Sequence, residues 1–244
     1  MVYLILSDIH ANWEALEAVL RHAEGRYQAI CCLGDMVGYG ADPNAVTDWV
    51  RANVPRVIRG NHDKACCGLE DPVHFNPIAR HAVEWTREVL SDENRDYLWN
   101  LPAGPADLGD FLIVHGSILD EDQYLIDAQD AIPQLNAASG RLVFFGHTHV
   151  QGGFLSRLVE SSPPNGAVPG RTTIRIPPGE GQLLNPGSVG QPRDGDPRAA
   201  FAIYDEDRRV LTMRRVAYPV AAAQKRVLDA GLPASLAHRL ALGR

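Results

Sequence analysis

Val2-Tyr3-Leu4-Ile5-Leu6-Ser7-Asp8-Ile9-His10 is the stretch on which the fold turns. Val2 to Leu6 is wholly apolar, which suits a strand covered on both faces. It stops at polar residues, among them Asp8 and His10. A helical pattern follows, with Trp13, Leu16, Val19, Leu20 and Ala23 on one face. Asn12 can cap its start and Gly25 can stop it. Residues 29–33 are apolar again and end at Gly34-Asp35. Strand, helix and strand make a β-α-β unit. In open α/β sheets ligands bind beyond the carboxyl ends of the strands, which is where Asp8, His10 and Asp35 fall.

The pattern recurs. Helical periodicity covers 43–52, with Val46, Trp49 and Val50 on one face and Pro43 in the first turn, then 77–90 and 92–100. Strands at 56–59, 111–114 and 142–145 end at Gly60-Asn61-His62-Asp63, His115-Gly116 and Gly146-His147-Thr148-His149. From Gly152 the character changes. Runs at 153–159, 172–176, 199–204 and 209–216 alternate with Pro/Gly-rich turns such as 161–170, which predicts an antiparallel second sheet. Two Ala/Leu-rich helical stretches follow, at 220–230 and 233–242. Their apolar faces must pack on something, and a homo-oligomer interface is one candidate.

The residues that stop the apolar runs are Asp8, His10, Asp35, Asn61, His62, His115, His147 and His149. A lone histidine is most simply a structural residue. An ordered set, each member after a strand, is not. Carboxylate, imidazole and amide oxygen together suit borderline divalent ions such as Mn²⁺, Fe²⁺, Zn²⁺ or Co²⁺. There are too many ligands for one ion, and two ions sharing a carboxylate would use them well.

In this order Asp-x-His, Gly-Asp, Gly-Asn-His-Asp, His and Gly-His-x-His resemble the signature of the calcineurin-like metallophosphoesterases. Ser-Asp-Ile-His-Ala-Asn from Ser7, Leu-Gly-Asp-Met-Val-Gly-Tyr-Gly from Leu33 and Gly-Gln-Pro-Arg-Asp-Gly-Asp-Pro-Arg from Gly190 resemble a bacterial and archaeal branch of small phosphoesterases, over nearly the whole chain. The expected fold is α/β, a four-layer αββα sandwich of two mixed β-sheets packed face to face with helices outside. It would form one domain over 1–244, with a helical C-terminal tail from about 219.

The resemblance also implies roles. Asp8, His10 and His149 would hold one metal, Asn61, His115 and His147 the other, and Asp35 would bridge them. Within Gly-His-Thr-His, alternate residues of an extended chain point the same way, so both imidazoles can face the metals. The cofactors would be two divalent ions, Mn first, with Fe, Zn, Co or Ni as alternatives. They would share a hydroxide that attacks the phosphorus of a small phosphate mono- or diester, nucleotide-like esters included. His62, left without a metal, would stand by the phosphate as proton donor or transition-state stabiliser, with Asp63 orienting its ring. Asn185-Pro186-Gly187-Ser188 looks like a family loop, and Asn185, Ser188 and Arg193 are candidate substrate-binding residues. The superfamily also holds nucleases and a non-catalytic scaffold, which are the competing functions. Its serine/threonine phosphatases carry Gly-Asp-x-x-Asp-Arg-Gly, and the phosphate-binding arginine of that motif is absent here.

The chain has 244 residues, 45% hydrophobic and 22% charged, with a formal net charge of −7. That acidity argues against long nucleic acid and anionic membranes as partners, because both need a basic footprint. No signal-peptide pattern is seen, and a cytoplasmic location is expected. Cys31-Cys32 and Cys66-Cys67 read as reduced structural thiols. Tyr39 and Tyr124 read as packing residues, His74 as a residue outside the site, and Gly38 and Gly40 as turn glycines or as points of close approach to substrate.

Overall fold

Alternation along β1 (Val2–Leu6) sets the layers. Leu4 and Leu6 pack into a core shared with helices α1 (Trp13–Ala23) and α2 (Pro43–Asn53), whereas Tyr3 and Ile5 face a second sheet. Strand β2 (Ala29–Cys32) repeats this, with Ile30 and Cys32 toward the helices and Cys31 toward the other sheet. Successive side chains of a strand point to opposite faces, so a fully apolar run can feed two cores at once. The computed structural model describes residues 1–155 and 171–244.

The chain continues through β3 (Arg56–Val57), α3 (Asn61–Cys67), α4 (Pro77–Val89), α5 (Asp92–Trp99), β4 (Ala106–Asp107) and β5 (Phe111–Ile113). Helix α6 (Ala128–Ala138) leads to β6 (Leu142–Phe144) and β7 (Gly152–Leu155). Strands β8 (Arg171–Arg175), β9 (Gln182–Asn185), β10 (Ala199–Asp205) and β11 (Val210–Val216) precede helices α7 (Val220–Asp229) and α8 (Ala234–Leu240). One sheet has the order β3-β2-β1-β10-β11-β8 and the other β4-β5-β6-β9-β7. Both mix parallel and antiparallel pairs. Phe111, Phe144 and Leu184 of the second sheet meet Tyr3, Ile5 and Tyr204 of the first. On its far face Val143, Phe145 and Leu183 pack against Ala131 and Ala138 of α6. The layers therefore run helix, sheet, sheet, helix.

Two expectations change. The strands after Gly152 do not form a separate antiparallel sheet. β10, β11 and β8 extend the first sheet, with β10 antiparallel to β1 and Tyr204 opposite Tyr3, while β7 and β9 join the second. Periodicity predicts a strand but not its neighbour. Strand β3 is two residues long, and Asn61 opens a helix, α3, whose residues from His62 to Cys67 are buried. A helix buried all round has no amphipathic stripe to announce it. The turns at 161–170, and the end of the run at 153–159, lie outside the described residues.

The four cysteines are free and buried. Burial raises the thiol of Cys31 to about 12 and that of Cys66 well above its usual range. The C-terminal helices pack on their own chain. Val227 and Leu236 share a cluster with Tyr39, and the Arg226 guanidinium pairs with Asp42. Among the described residues, no helix is long and apolar enough to cross a membrane.

Candidate metal centre

Strand ends carry the site residues, and the backbone turns sharply there. Asp8, His10, Asp35, His147 and His149 have φ of 52°, 49°, 53°, 64° and 59°. Non-glycine residues held there cost roughly 1–3 kcal/mol each and persist only where surrounding structure imposes them. Here the strain is held by hydrogen bonds between neighbouring strand ends. The Asp8 N–H donates to the Gly34 carbonyl at 3.1 Å and the His10 N–H to the Asp35 carbonyl at 2.9 Å. The Gly-His-Thr-His segment is accordingly not extended. His147 and His149 reach the site because each is in the left-handed region, not by strand alternation.

Two glycines allow this approach. A Cβ on Gly60 would lie 2.2 Å from Asp35 Oδ1, and one on Gly146 would lie 2.1 Å from Ser7 Oγ. Both distances are far inside van der Waals contact. The glycine beside Asn61 and the one beside His147 are therefore demanded by packing of one strand end on the next.

Asp8, His10, Asp35 and His149 form one group whose candidate ligand atoms all lie within 4.8 Å of one another, and Asp35, His115 and His147 form a second. Asp35 belongs to both. Asn61 Oδ1 is 3.3 Å from His115 Nε2, which places it with the second group. His10 Nε2 and His149 Nε2 face each other at 3.0 Å. His10 Nδ1 meets the Val37 carbonyl at 3.0 Å and His149 Nδ1 the Gln191 carbonyl at 2.6 Å. A carbonyl only accepts, so each Nδ1 carries the proton. Burial holds His10 down at about 4 and His149 well below the ordinary imidazole value, so both rings are neutral. The two facing Nε2 atoms are then both lone pairs, an arrangement that repels unless a cation takes them.

The second group gathers on the other side of Asp35. His115 Nδ1 meets the Leu33 carbonyl at 2.9 Å, and His115 Nε2 lies 3.1 Å from His147 Nδ1 and 3.5 Å from Asp35 Oδ2. Burial opposes charge on His115, but Asp35 and Asp8 more than offset it and raise the ring to about 10. Burial pushes the Asp8 carboxyl up, whereas His115 and His62 outweigh burial at Asp35 and hold it well below the usual range. His147 Nε2 is buried with no partner. The donor set, the shared carboxylate and the facing lone pairs fit two divalent ions.

His62 lies beside this cluster without belonging to it. Its backbone N–H donates to Asp35 Oδ1 at 2.8 Å. Its ring packs on Tyr39, His10 and Phe75 at 4.4, 4.9 and 4.9 Å between centroids. Its Nδ1 is buried with no partner. Gly38 leaves room for that atom, since a Cβ there would sit 2.4 Å from it.

The expected role of Asp63 is corrected. Its carboxylate does not bond the His62 ring. It accepts from the backbone N–H groups of Asp35, Met36, Val37 and Gly60 at 2.8, 2.9, 3.3 and 2.9 Å. Burial raises this carboxyl, and the Gly60 and Val37 donors oppose the rise. Asp63 thus fixes the loop that carries Asp35.

Asn185 and Ser188 are corrected likewise. Both are fully buried, and their polar atoms are used inside the protein. Asn185 Nδ2 donates to the Gly146 carbonyl at 2.8 Å and to Thr148 Oγ1 at 3.0 Å. Ser188 Oγ donates to the Asp8 carbonyl at 2.7 Å and accepts the Gln191 N–H at 2.7 Å. They hold the backbone around Asp8 and His147 and leave no polar side-chain atom for a substrate. Arg193 stays at the site, with Nη2 at 3.3 Å from the Tyr39 hydroxyl and 3.0 Å from Gln191 Oε1.

A cleft of about 260 Å³ opens on the cluster, lined by Asn61, His62, His147, Tyr39, Tyr124 and His74 among others. The sequence favours packing for Tyr39 and Tyr124 and a place outside the site for His74, over the alternative that they edge the pocket, and here all three line the cleft. The Tyr124 ring stacks on His147 at 3.8 Å. No local pattern announces such a contact, because Tyr124 lies in a loop.

Residues 1–209 match the model of the calcineurin-like phosphoesterase superfamily domain. An uncharacterised protein of Methanocaldococcus jannaschii is 34% identical over 252 residues, covering 98% of this chain and 97% of that protein. The crystal structure of a metallophosphoesterase from Sphaerobacter thermophilus superposes with a TM-score of 0.89 at 42% identity, covering 100% of this chain and 99% of that one. A hypothetical protein from Pyrococcus horikoshii shares the fold, with a TM-score of 0.80 at 19% identity over 100% of this chain and 98% of that one. The chain belongs to the calcineurin-like phosphoesterase superfamily.

Proposed function

We propose that the protein is a two-metal phosphoesterase that hydrolyses small phosphate mono- or diesters. The observation that carries this is the pair of neutral imidazoles presenting lone pairs to each other at 3.0 Å between carboxylates. Asp8, His10 and His149 hold one divalent ion, Asn61, His115 and His147 the other, and Asp35 serves both. Bound there, two such ions supply an activated water and neutralise charge on the phosphoryl oxygens. Manganese is the favoured ion.

The remaining chemistry belongs to side chains. His62 faces the cleft with a ring that no protein group engages through Nδ1. It hydrogen-bonds the phosphate or its leaving oxygen, a role worth about 10²–10⁴ in rate. Tyr39 stands where the phosphoprotein phosphatase motif has arginine, and Arg193 reaches Tyr39 from the far side of the site. Arg193 is held by neutral groups, Tyr39 and Gln191, through Nη2, while its Nε has no partner, so its planar cation can turn to phosphate oxygens. Ser188 and Asn185 hold Asp8 and the Gly-His-Thr-His segment in place.

The test is hydrolysis of para-nitrophenyl phosphate and bis-para-nitrophenyl phosphate by metal-stripped protein, with and without Mn²⁺. Turnover that appears only with metal supports the proposal, and the preferred ester separates monoesterase from diesterase. Binding of no metal and turnover of neither ester would refute it.

A further inference from the structure

We infer that an apolar pocket beside the metal centre receives the organic arm of the phosphate ester, and that this arm is a flat, uncharged ring. The inference rests on the phosphoesterase reading and narrows it to a substrate class. The pocket has a volume of about 370 Å³, within the roughly 300–1,000 Å³ typical of small-molecule sites. Leu125, Ile126, Phe145, Val150 and Phe154 supply its apolar wall.

Three observations join it to the metals. Tyr124 lines both this pocket and the metal cleft, and its ring lies on His147. Thr148, between His147 and His149, is part of the wall. Arg193 is another wall residue, and its backbone N–H donates to the His149 carbonyl at 3.1 Å. A phosphoryl group at the metals therefore has this pocket as its neighbour.

The lining decides the chemistry. Among the described residues Arg193 is the one charged member of the lining, and its Nε is buried with no partner. That cation suits a phosphoryl oxygen at the boundary. It also offers a planar face to a ring. Thr148 Oγ1 already accepts from Asn185 Nδ2 and the Val150 N–H, which leaves only its single O–H to offer. A polyol arm would leave its hydroxyls unpaired against apolar walls, which is costly. A cationic arm would be worse, because it would be buried beside the Arg193 guanidinium. A ring fits, with Tyr124, Phe145 and Phe154 as partners for edge and face contacts.

The experiment compares binding of benzylphosphonate and ethylphosphonate to the Mn²⁺-loaded full chain by calorimetry. Neither compound can be hydrolysed, so binding is read without turnover. Benzylphosphonate is expected to bind at least about tenfold more tightly, on the scale by which apolar pockets discriminate. Ile126 is 72% exposed at the pocket edge, so Ile126→Glu tests the pocket without threatening the fold. That variant is expected to bring the ratio of the two affinities close to one. Equal binding by the unaltered protein, or an unchanged ratio in Ile126→Glu, would overturn the assignment. Binding of neither compound, with no Mn²⁺ bound, would instead remove the phosphoesterase reading and the pocket with it.

Discussion

Asp63→Asn discriminates sharply between two roles for one carboxylate. Oδ2 of Asp63 accepts the Asp35 and Gly60 N–H groups, and Oδ1 accepts those of Met36 and Val37. An amide has one oxygen. Whichever way it is turned, its NH₂ faces two buried donors and leaves both without an acceptor. Each such loss costs about 1–3 kcal/mol, so the substitution is expected to destabilise the metal-free protein by roughly 2–6 kcal/mol. For a chain of this size that lowers the melting temperature by roughly 2–4 °C per kcal/mol. Asp35 sits on the loosened loop, so Mn²⁺ affinity is expected to fall about 10–100-fold, the usual effect of losing a residue that orients a ligand. Thermal unfolding followed by circular dichroism and Mn²⁺ titration by calorimetry measure both. Had Asp63 oriented His62 instead, the variant would keep its stability and its metals and lose only rate. That outcome would refute the positioning role.

Other predictions concern the same cluster. His62→Ala should bind Mn²⁺ as the unaltered protein does while kcat falls about 10²–10⁴-fold, measured by calorimetry beside steady-state kinetics; an unchanged kcat would remove His62 from the chemistry. His115 is raised from 6.5 to about 10, so in the metal-free protein its ring is protonated between these values. Mn²⁺ binding near pH 8 should then release about one proton, read from calorimetry in buffers of different ionisation enthalpy. By the same linkage His115 stabilises the metal-free fold fully below pH 6.5, and that stabilisation is lost as pH rises through about 10. Asn185→Ala removes the bonds to Gly146 and Thr148 and should weaken metal binding about 10–100-fold, again by titration, with the affinity of the intact protein as the contrary result.

What the sequence announced and what it hid have physical causes. Buried parallel strands are continuous apolar runs, so β1, β2, β5 and β6 stand out, and the chain must turn polar where each run leaves the sheet. The candidate ligands lie at those ends and are visible for that reason. Helix α3 is hidden because Asn-His-Asp-Lys-Ala-Cys-Cys has no apolar stripe. Strand β9 is hidden by its polar ends, Gln182 and Asn185, both buried. Helix α6 carries Pro133 in its interior, which masks the pattern, although Asp127 and Asp130 form the capping box that marks its start. The placement of β10 and β11 against β1 depends on pairing between distant segments, which no local period encodes. The same holds for Tyr124 on His147, and for Asp63, whose partners are backbone groups with no sequence signature.

Two ions served by one shared carboxylate is the claim on which the rest depends. Titrating metal-stripped protein with Mn²⁺ while following both heat and ester turnover tests it most directly. Two ions per chain, with turnover rising only as the second site fills, is the predicted result. Full turnover at one ion per chain, or no ion bound at all, would contradict it.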